Sequence, residues 1–301
     1  MSLVPTMVIS GGVCVFRKTG AVAVIVMLML TVSGCSTLTI SEQEEYPLSQ
    51  SIEVIDLMGY NGEMRWASVR ANEQPRIEIL KEVYGSDIEA MEEYMDEILI
   101  EDYSSDIEVI LQAVQPKHRS GVQSASVRFT VYAPPERITH FFGQTNNGAI
   151  QIDASFNGYL GLTTGNGSII LASGVGEVDA ITSNGRIRLG GVRLTGSSSF
   201  RTSNGRIEGS VALPSTGRFL FETSNGRIHL KMPASTSGTF NMQARNGKIN
   251  FYLGSETISQ EGYANVVLGS EPFVDIRTTN GEIDVVADGA SDTLSEGWVF
   301  R

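Results

Sequence analysis

The chain has 301 residues, and its 34 acidic and 22 basic side chains give a formal net charge of −12. This balance argues against nucleic-acid binding, which needs a basic face, and a hydrophobic content of 41% indicates a globular protein. Two cysteines exclude a disulfide framework, and 32 glycines indicate many tight turns between short strands.

Residues 1–34 have the pattern of a secretory signal. Two basic residues at 17–18 precede ten apolar residues at 21–30, fewer than the roughly twenty that a permanent membrane helix needs. Small residues at 33–34 then lead to Cys35. This order resembles the lipobox of bacterial lipoproteins. The resemblance implies that Cys35 is lipidated, becomes the mature N-terminus and anchors the chain in a membrane; the alternative is an uncleaved membrane anchor.

The residue after Cys35 bears on the expected location. In proteobacterial lipoproteins, a residue other than aspartate at this place resembles the outer-membrane sorting signal, and here it is Ser36. The sequence therefore predicts a lipid-anchored protein of the bacterial cell envelope. In a Gram-negative source we expect it in the outer membrane, on the periplasmic face or on the surface.

The next segments predict a tether and a small mixed α/β cap. Residues 35–50 are polar and acidic, which is typical of a tether, and residues 51–140 alternate strand-like stretches with one helix at about 86–101. Ser86 and Glu89 have the spacing of a capping box at the start of that helix. Its acidic side chains are expected to form a solvated face. The apolar residues on its other face are Ile88, Met91, Met95, Ile98 and Leu99.

A T-x-N-G-x-I motif recurs through residues 141–288. The first five steps between its asparagines are 19, 18, 20, 21 and 21 residues, and the last is 34. A period near twenty with strand-length segments predicts stacked units. In such a stack the asparagine amides form a ladder of hydrogen bonds, the glycines take a left-handed turn position, and the isoleucines share one interior. The asparagines of this structural ladder are Asn147, Asn166, Asn184, Asn204, Asn225, Asn246 and Asn280.

These repeats predict a mainly β fold. The interpretation that we favour is a single-stranded right-handed β-helix, or solenoid, of about seven rungs with the α/β cap at its N-terminal end. The alternative is an antiparallel β-meander of hairpins with Asn-Gly at each tip. The identical asparagine and isoleucine positions favour stacking. Residues 289–301 are expected to form a C-terminal tail.

The repeats also carry a resemblance to a known family. Together with the V-x-F-x-V-x-A-P pattern at 127–134, they look like the bacterial β-strand-repeat family labelled "putative adhesin", a domain of unknown function. The resemblance covers about residues 50–288. It implies a single-stranded β-helix, a place in the cell envelope and no established catalytic residues. Some members of the family accompany envelope-stress regulators.

One chemical feature stands out in the repeats, because a basic residue follows the glycine in four of them. Stacked rungs would place these cations about 4.8 Å apart. A neighbouring acidic row containing Glu208 and Glu222 would compensate their repulsion, or the row would bind an anionic envelope polymer. The residues of this row are Arg186, Arg206, Arg227 and Lys248.

The function expected from the sequence is therefore binding without turnover. The chain contains no nucleophile elbow, zinc-protease motif, P-loop or C-x-x-C pair, so no catalytic residue, metal or cofactor is predicted. We expect a non-enzymatic, lipid-anchored, adhesin-like binding or scaffold protein. Its partners would be the membrane and an anionic envelope polymer or an envelope protein, with no nucleic acid. An envelope-stress regulatory partner and a polysaccharide-active β-helix enzyme are the alternatives.

Overall fold

The computed structural model describes residues 38–67, 69 and 73–287 with their side chains, and the backbone of two short strands at 14–15 and 25–27. Cys35, the tail at 289–301 and most of the signal at 1–34 lie outside the described residues. The strands before the repeats are β1 (Cys14–Val15), β2 (Ile25–Met27), β3 (Leu38–Pro47), β4 (Val54–Met58), β5 (Met64–Ala67), β6 (Arg76–Gly85), β7 (Leu99–Asp102), β8 (Glu108–Val114) and β9 (Val122–Tyr132), with the helix α1 (Ile88–Asp96) between β6 and β7.

The remaining strands belong to the repeats, so the chain is mainly β, as predicted. They are β10 (His140–Thr145), β11 (Ile150–Ile152), β12 (Phe156–Thr164), β13 (Ile169–Leu171), β14 (Gly174–Thr182), β15 (Ile187–Leu194), β16 (Ser198–Thr202), β17 (Ile207–Ala212), β18 (Arg218–Thr223), β19 (Ile228–Met232), β20 (Thr239–Leu253), β21 (Glu256–Val267), β22 (Phe273–Thr278) and β23 (Ile283–Ala287).

Parallel pairing between repeats builds two long β-faces. The first face has the strand order β8-β4-β10-β12-β14-β16-β18-β22-β20. The second face has the order β9-β5-β11-β13-β15-β17-β19-β23-β20. Equivalent repeat positions pair with each other, as Ile207 does with Ile187 and Ile228.

This arrangement is a β-helix-like solenoid. The hairpin alternative is wrong for the repeats, because the strands on the two sides of an Asn-Gly turn pair in parallel with other repeats. The right-handed coil and the count of about seven rungs stay predictions.

The interior is a stack of apolar side chains between the two faces. Phe200 and Phe221 lie on neighbouring strands with ring centroids 5.0 Å apart and an interplanar angle of 8°. Each such buried side chain contributes roughly 1.5–3 kcal/mol of hydrophobic stabilisation. The predicted isoleucine column is fully buried, and consists of Ile150, Ile169, Ile187, Ile207, Ile228, Ile249 and Ile283.

The N-terminal end of the stack is closed by an antiparallel sheet and the helix. Strands β3, β6 and β9 pair side by side, and α1 contacts all three. The helix is shorter than the predicted 86–101. Asp87, not Ser86, caps it by accepting a hydrogen bond from the Ala90 N–H at 3.2 Å. The chain then turns into β7, which pairs with β8, so Leu99 is 53% exposed instead of lying on the buried helix face.

The segment predicted as an acidic tether is partly a strand. Residues 38–47 form β3, which pairs with β6 along its whole length. Its acids are not simply solvated, because Lys81 of β6 is 7% exposed and forms ion pairs with Glu42 and Glu44. Burial raises the pKa of Glu42, against the influence of Lys81.

At the C-terminal end, the order of the stack differs from the order of the chain. Strand β22 lies between β18 and β20, and β23 lies between β19 and β20. The last repeat of the sequence therefore fills a gap inside the stack, while β20 is the outermost parallel strand. Strand β21 runs antiparallel along β20 and pairs with no other strand of the described residues.

Candidate functional site

The Asn-Gly turns form one continuous edge, which we call the corner. Each asparagine Nδ2 donates a hydrogen bond to the Oδ1 of the asparagine before it in the stack, at 2.5–2.8 Å. The ladder starts one position earlier than the repeats suggest, at Asn61, and takes Asn280 before Asn246. Its order is Asn61, Asn147, Asn166, Asn184, Asn204, Asn225, Asn280 and Asn246.

The corner glycines are needed for a reason other than the predicted left-handed turn. None of the glycines in the Asn-Gly turns of the seven repeats has φ in the left-handed region. A Cβ added to Gly205 would lie 1.8 Å from the Gly185 carbonyl oxygen of the preceding corner. Thr202 completes the contact, because its Oγ1 donates to that same oxygen at 2.8 Å. The corner is thus built by close backbone stacking, and the predicted role of glycine is corrected.

The predicted basic row follows the corner on the second face, but its order also changes. Arg186, Arg206 and Arg227 each stand one residue before successive strands of this face, and the backbone N–H of each following isoleucine donates to the carbonyl of the next row member. Glu282 stands next to Arg227, because Ile228 N–H donates to its carbonyl at 2.9 Å. Lys248 lies beyond Glu282. Three cations are therefore adjacent, and Lys248 is separated from them by an acid.

The acids expected to compensate the row have different partners. Glu208 contacts Arg206 of the row at 3.4 Å and Arg188 at 3.1 Å. Glu222 instead lies on the first face, where it pairs with Arg201 at 3.8 Å. Only Glu208 of the two thus belongs to the basic surface.

A second row lies beside the first, at the position after each isoleucine. Register places Arg188, Glu208, His229, Asp284 and Asn250 next to one another in this order on the second face. This row cannot be recognised from the repeated motif, because its members differ in every repeat. Their shared phase, one residue after each buried isoleucine, is the signal that could have found it.

Asp284 is the most buried charge of this row, at 3% exposure. Its carboxylate accepts hydrogen bonds from Arg227 Nε at 2.6 Å and from Asn250 Nδ2 at 2.9 Å. A buried carboxylate needs such partners, because desolvation without them costs several kcal/mol. Arg227 therefore has a structural task besides its place in the basic row.

Two adjoining grooves flank the second row. One has a volume of about 270 Å³. It is lined by Arg188, Glu208, Ser210, His229 and Lys231, together with Leu189 and the glycines at 190 and 209. The other, of about 210 Å³, is lined by Arg206, Arg227 and the same glutamate and histidine. Glycines at 190 and 209 line the larger groove, where the β15–β17 register is interrupted by a bulge.

His229 stands between the two grooves with an unusual environment. Its Nδ1 is buried and has no hydrogen-bond partner among the described residues. Burial lowers the pKa of His229 from 6.5, and the neighbouring Arg227 lowers it further, while Asp284 acts in the opposite direction. Burial and Arg227 thus both favour the neutral imidazole, and the side chain lines both grooves.

The surface around the grooves is basic in an otherwise acidic chain. Members of the two rows, with Lys231 beside them, bring together five basic and three acidic side chains here. These residues lie on β15, β17, β19 and β23 or one residue before each of these strands. These are Arg186, Arg188, Arg206, Arg227 and Lys231, with Glu208, Asp284 and Glu282.

Two other clusters of side chains are also candidates for a functional site. His140, Phe142 and Tyr159 pack together on the first face, where Tyr159 donates to Asp179 at 2.9 Å and has its pKa raised to about 12 by burial and by this bond. His118 lines a groove of about 490 Å³ near the N-terminal end. Neither cluster combines opposite charges with a buried unpartnered atom, as the second row does.

The acidic helix and a metal site are weaker candidates for the functional site than the grooved surface. Arg119 donates to Glu93 at 2.7 Å and to Glu97 at 2.6 Å, so two acids of that face have partners within the chain. Among the described residues, no group of three or more His, Cys, Asp or Glu side chains is placed to hold a metal ion. In the same part of the chain, the helix found lacks the length and apolar character of a membrane-crossing segment.

The geometry thus defines a β-helix-like solenoid with a structural corner and a grooved basic surface beside it. No protein-family model matches the chain, and no curated protein matches it. Solved structures with similarity to it include a putative cell adhesion protein from Clostridium sporogenes, with 13% identity over 82% of this chain and 100% of that chain and a TM-score of 0.27.

Two further similar structures carry related names. A putative adhesin from Bacteroides fragilis is 12% identical over 82% of this chain and 97% of that chain, with a TM-score of 0.42. A putative adhesin from Parabacteroides merdae is 10% identical over 82% of this chain and 96% of that chain, with a TM-score of 0.37. Because these scores are low, function is inferred below from the geometry of the chain itself.

Proposed function

We propose that this chain is a non-enzymatic, lipid-anchored protein of the bacterial cell envelope whose solenoid binds an anionic envelope polymer in an adhesin-like manner. The observation that supports this most is the run of Arg186, Arg206 and Arg227 at the starts of successive strands, beside two grooves. Guanidinium groups bind carboxylates and phosphates through paired hydrogen bonds. Repetition along the stack allows one polymer to contact several of them at once.

The polymer contact is tested with charge-neutral variants of the row. Arg227 is left unchanged, because it holds the buried Asp284 carboxylate. We expect the full chain to be retained on anionic envelope polymers in a salt-sensitive manner, and Arg186→Ser with Arg206→Ser to weaken retention about tenfold or more.

A matched control removes the same charge from the other face. Arg201 and Arg277 lie on the first face with side chains 50% exposed, so Arg201→Ser with Arg277→Ser should leave retention unchanged. Polymer binding by this surface would be refuted if retention changed neither with salt concentration nor in the Arg186→Ser, Arg206→Ser variant.

The lipid anchor has its own test. We expect the full chain, expressed in a bacterium, to incorporate labelled fatty acid and to fractionate with membranes. Cys35→Ser should abolish the label and release the protein from the membrane fraction, while Cys14→Ser should not, since residue 14 lies within the signal. Labelling that survives Cys35→Ser would contradict the proposed anchor.

A second candidate function is a polysaccharide-active enzyme. It is favoured by one observation, the presence of Glu208 and His229 in both grooves next to arginines, since such groups act as general acids and bases. New chain ends released from an envelope polysaccharide, and lost in His229→Gln, would establish this function in place of binding alone.

A further inference from the structure

The larger groove combines two kinds of group that recognise a sugar acid. Arg188 and Lys231 supply positive charge at its rim, and Glu208 and Ser210 supply hydrogen-bond acceptors and a hydroxyl. Arg188 pairs in register with Glu208, and Lys231 with Ser210, while Leu189 and glycine backbone complete the lining. Each positive charge therefore stands next to a hydroxyl-binding group, which distinguishes this groove from a purely electrostatic strip.

His229 adds a further hydrogen-bonding group to this lining. Its Nδ1 is buried without a partner among the described residues, so a proton there would find no acceptor. The neutral ring is therefore better protonated on Nε2, and the side chain lines both grooves. A ligand hydroxyl or carboxylate oxygen would satisfy this N–H.

We propose that the groove formed by Arg188, Glu208, Ser210, His229 and Lys231 is a subsite for a carboxylated sugar of an acidic polysaccharide. In it, Lys231 and Arg188 bind the carboxylate, while Glu208, Ser210 and His229 Nε2 bind ring hydroxyls. The inference rests on the proposed function and names the ligand class for the same surface.

The charge balance favours sugar carboxylates over a polyphosphate. Arg188 and Arg206 already share Glu208, at 3.1 and 3.4 Å, and Arg227 is bound to Asp284 at 2.6 Å. Much of the positive charge is thus matched within the chain, which suits a ligand of low charge density, such as one carboxylate per sugar. A polyphosphate also carries about one charge per unit, but its units are shorter than a sugar, so the acids inside the grooves repel it more strongly.

The geometry also suits a polymer that runs across the strands. The two grooves meet at Glu208 and His229, which line both. Neighbouring strands are about 4.8 Å apart, comparable with the length of one pyranose ring. Successive sugars can therefore occupy successive strands, with the grooves holding two neighbouring units.

The test measures binding of the full chain to hexagalacturonate, to its uncharged methyl ester and to a polyphosphate of equal charge, by calorimetry. We expect hexagalacturonate to bind, and the ester and the polyphosphate to bind about tenfold more weakly or less. Lys231→Ser should weaken hexagalacturonate binding about tenfold. Arg201→Ser, which removes the same charge from the first face, should leave it unchanged, and both variants should unfold at the wild-type temperature.

Other results would overturn the subsite. Equal binding of the ester, tighter binding of polyphosphate, or wild-type affinity in Lys231→Ser would each do so. These outcomes are separate from the fate of the proposed function. If the Arg186→Ser, Arg206→Ser variant loses envelope retention while Lys231→Ser binds hexagalacturonate normally, polymer binding stands and the subsite fails. If hexagalacturonate binds as expected but the chain is not retained on envelope polymers, the subsite stands and the envelope function fails.

Discussion

The corner and the grooved surface lie side by side on the same strands, yet they use repetition in opposite ways. At the corner every repeat places the same asparagine and glycine, and each amide bonds to its neighbour in the stack. One position beyond the isoleucines, the repeats place Arg188, Glu208, His229 and Asp284. The corner holds the stack together, while the second row is free to carry specific chemistry.

The two regions therefore should respond differently to substitution. Changes at the corner remove bonds or space that every repeat needs, so they act on the free energy of unfolding. Changes among exposed side chains of the grooved surface, such as Lys231, are expected to act on the proposed ligand binding and to leave stability nearly unchanged. Three substitutions sharpen this contrast on stability, and the binding variants described above complete it.

The largest effect is expected for Gly205→Ala. The new Cβ would lie 1.8 Å from the Gly185 carbonyl oxygen, so the corner must open, at a cost of about 3 kcal/mol or more. The measurement is urea unfolding of the full chain. Gly143→Ala is the control, because its Cβ would meet its nearest neighbour at 3.4 Å, which is ordinary contact. Equal stability of the two variants would show that the corner is not closely stacked.

A smaller loss is expected for Asn204→Ala, in the middle of the amide ladder. It removes the bonds to Asn184 and to Asn225, both 2.8 Å long, and should cost about 1–2 kcal/mol. Asn246→Ala, at the end of the ladder, removes one such bond and should cost about half as much. Ser203→Ala, on the exposed neighbour of Asn204, should change stability little. Equal losses at 204 and 246 would contradict a continuous ladder.

The smallest effect concerns His229 and depends on pH. Glu208 of β17, Asp284 of β23, Lys231 of its own strand and Arg227 just before that strand surround it, and burial is the largest cause of its lowered pKa. Below about pH 6.5, the unfolded chain takes up a proton that the folded chain resists. Stability should therefore fall as the pH drops through this range.

His229→Gln should flatten that dependence, which unfolding curves between pH 7.5 and pH 5 would measure. Ser203→Ala, which changes no titratable group, is the control and should keep the wild-type slope. Parallel slopes for wild type and His229→Gln would mean that burial of this imidazole does not affect stability.

The sequence predicts the corner and the core well because both repeat. Ile187, Ile207 and Ile228 have one phase and are fully buried, and the asparagines before them stack as their spacing indicates. Asn61 escapes notice because it precedes the regular period and has no threonine two residues before it. The grooved surface cannot be recognised from the motif because its residues, such as Glu208 and His229, differ from repeat to repeat.

The order of the last two repeats could not be predicted from spacing. A step of 34 residues shows that an extra strand intervenes, but it does not show on which side of β20 the final repeat packs. That choice places Glu282 next to Arg227 and moves Lys248 away from the basic row. Strand β21 then folds back along β20 through a two-residue hairpin at 254–255, so that this outer strand is covered by antiparallel bonds.

This out-of-order packing has a consequence for how the protein is made. A nascent chain leaves the ribosome N-terminus first, so β20 is synthesised before β22 and β23, which must come to lie inside it. Until residue 287 has emerged, β19 and β20 lack the complete strand that pairs with both of them. Assembly is therefore completed by inserting β22 and β23 between strands that have already been synthesised, instead of by adding one turn after another.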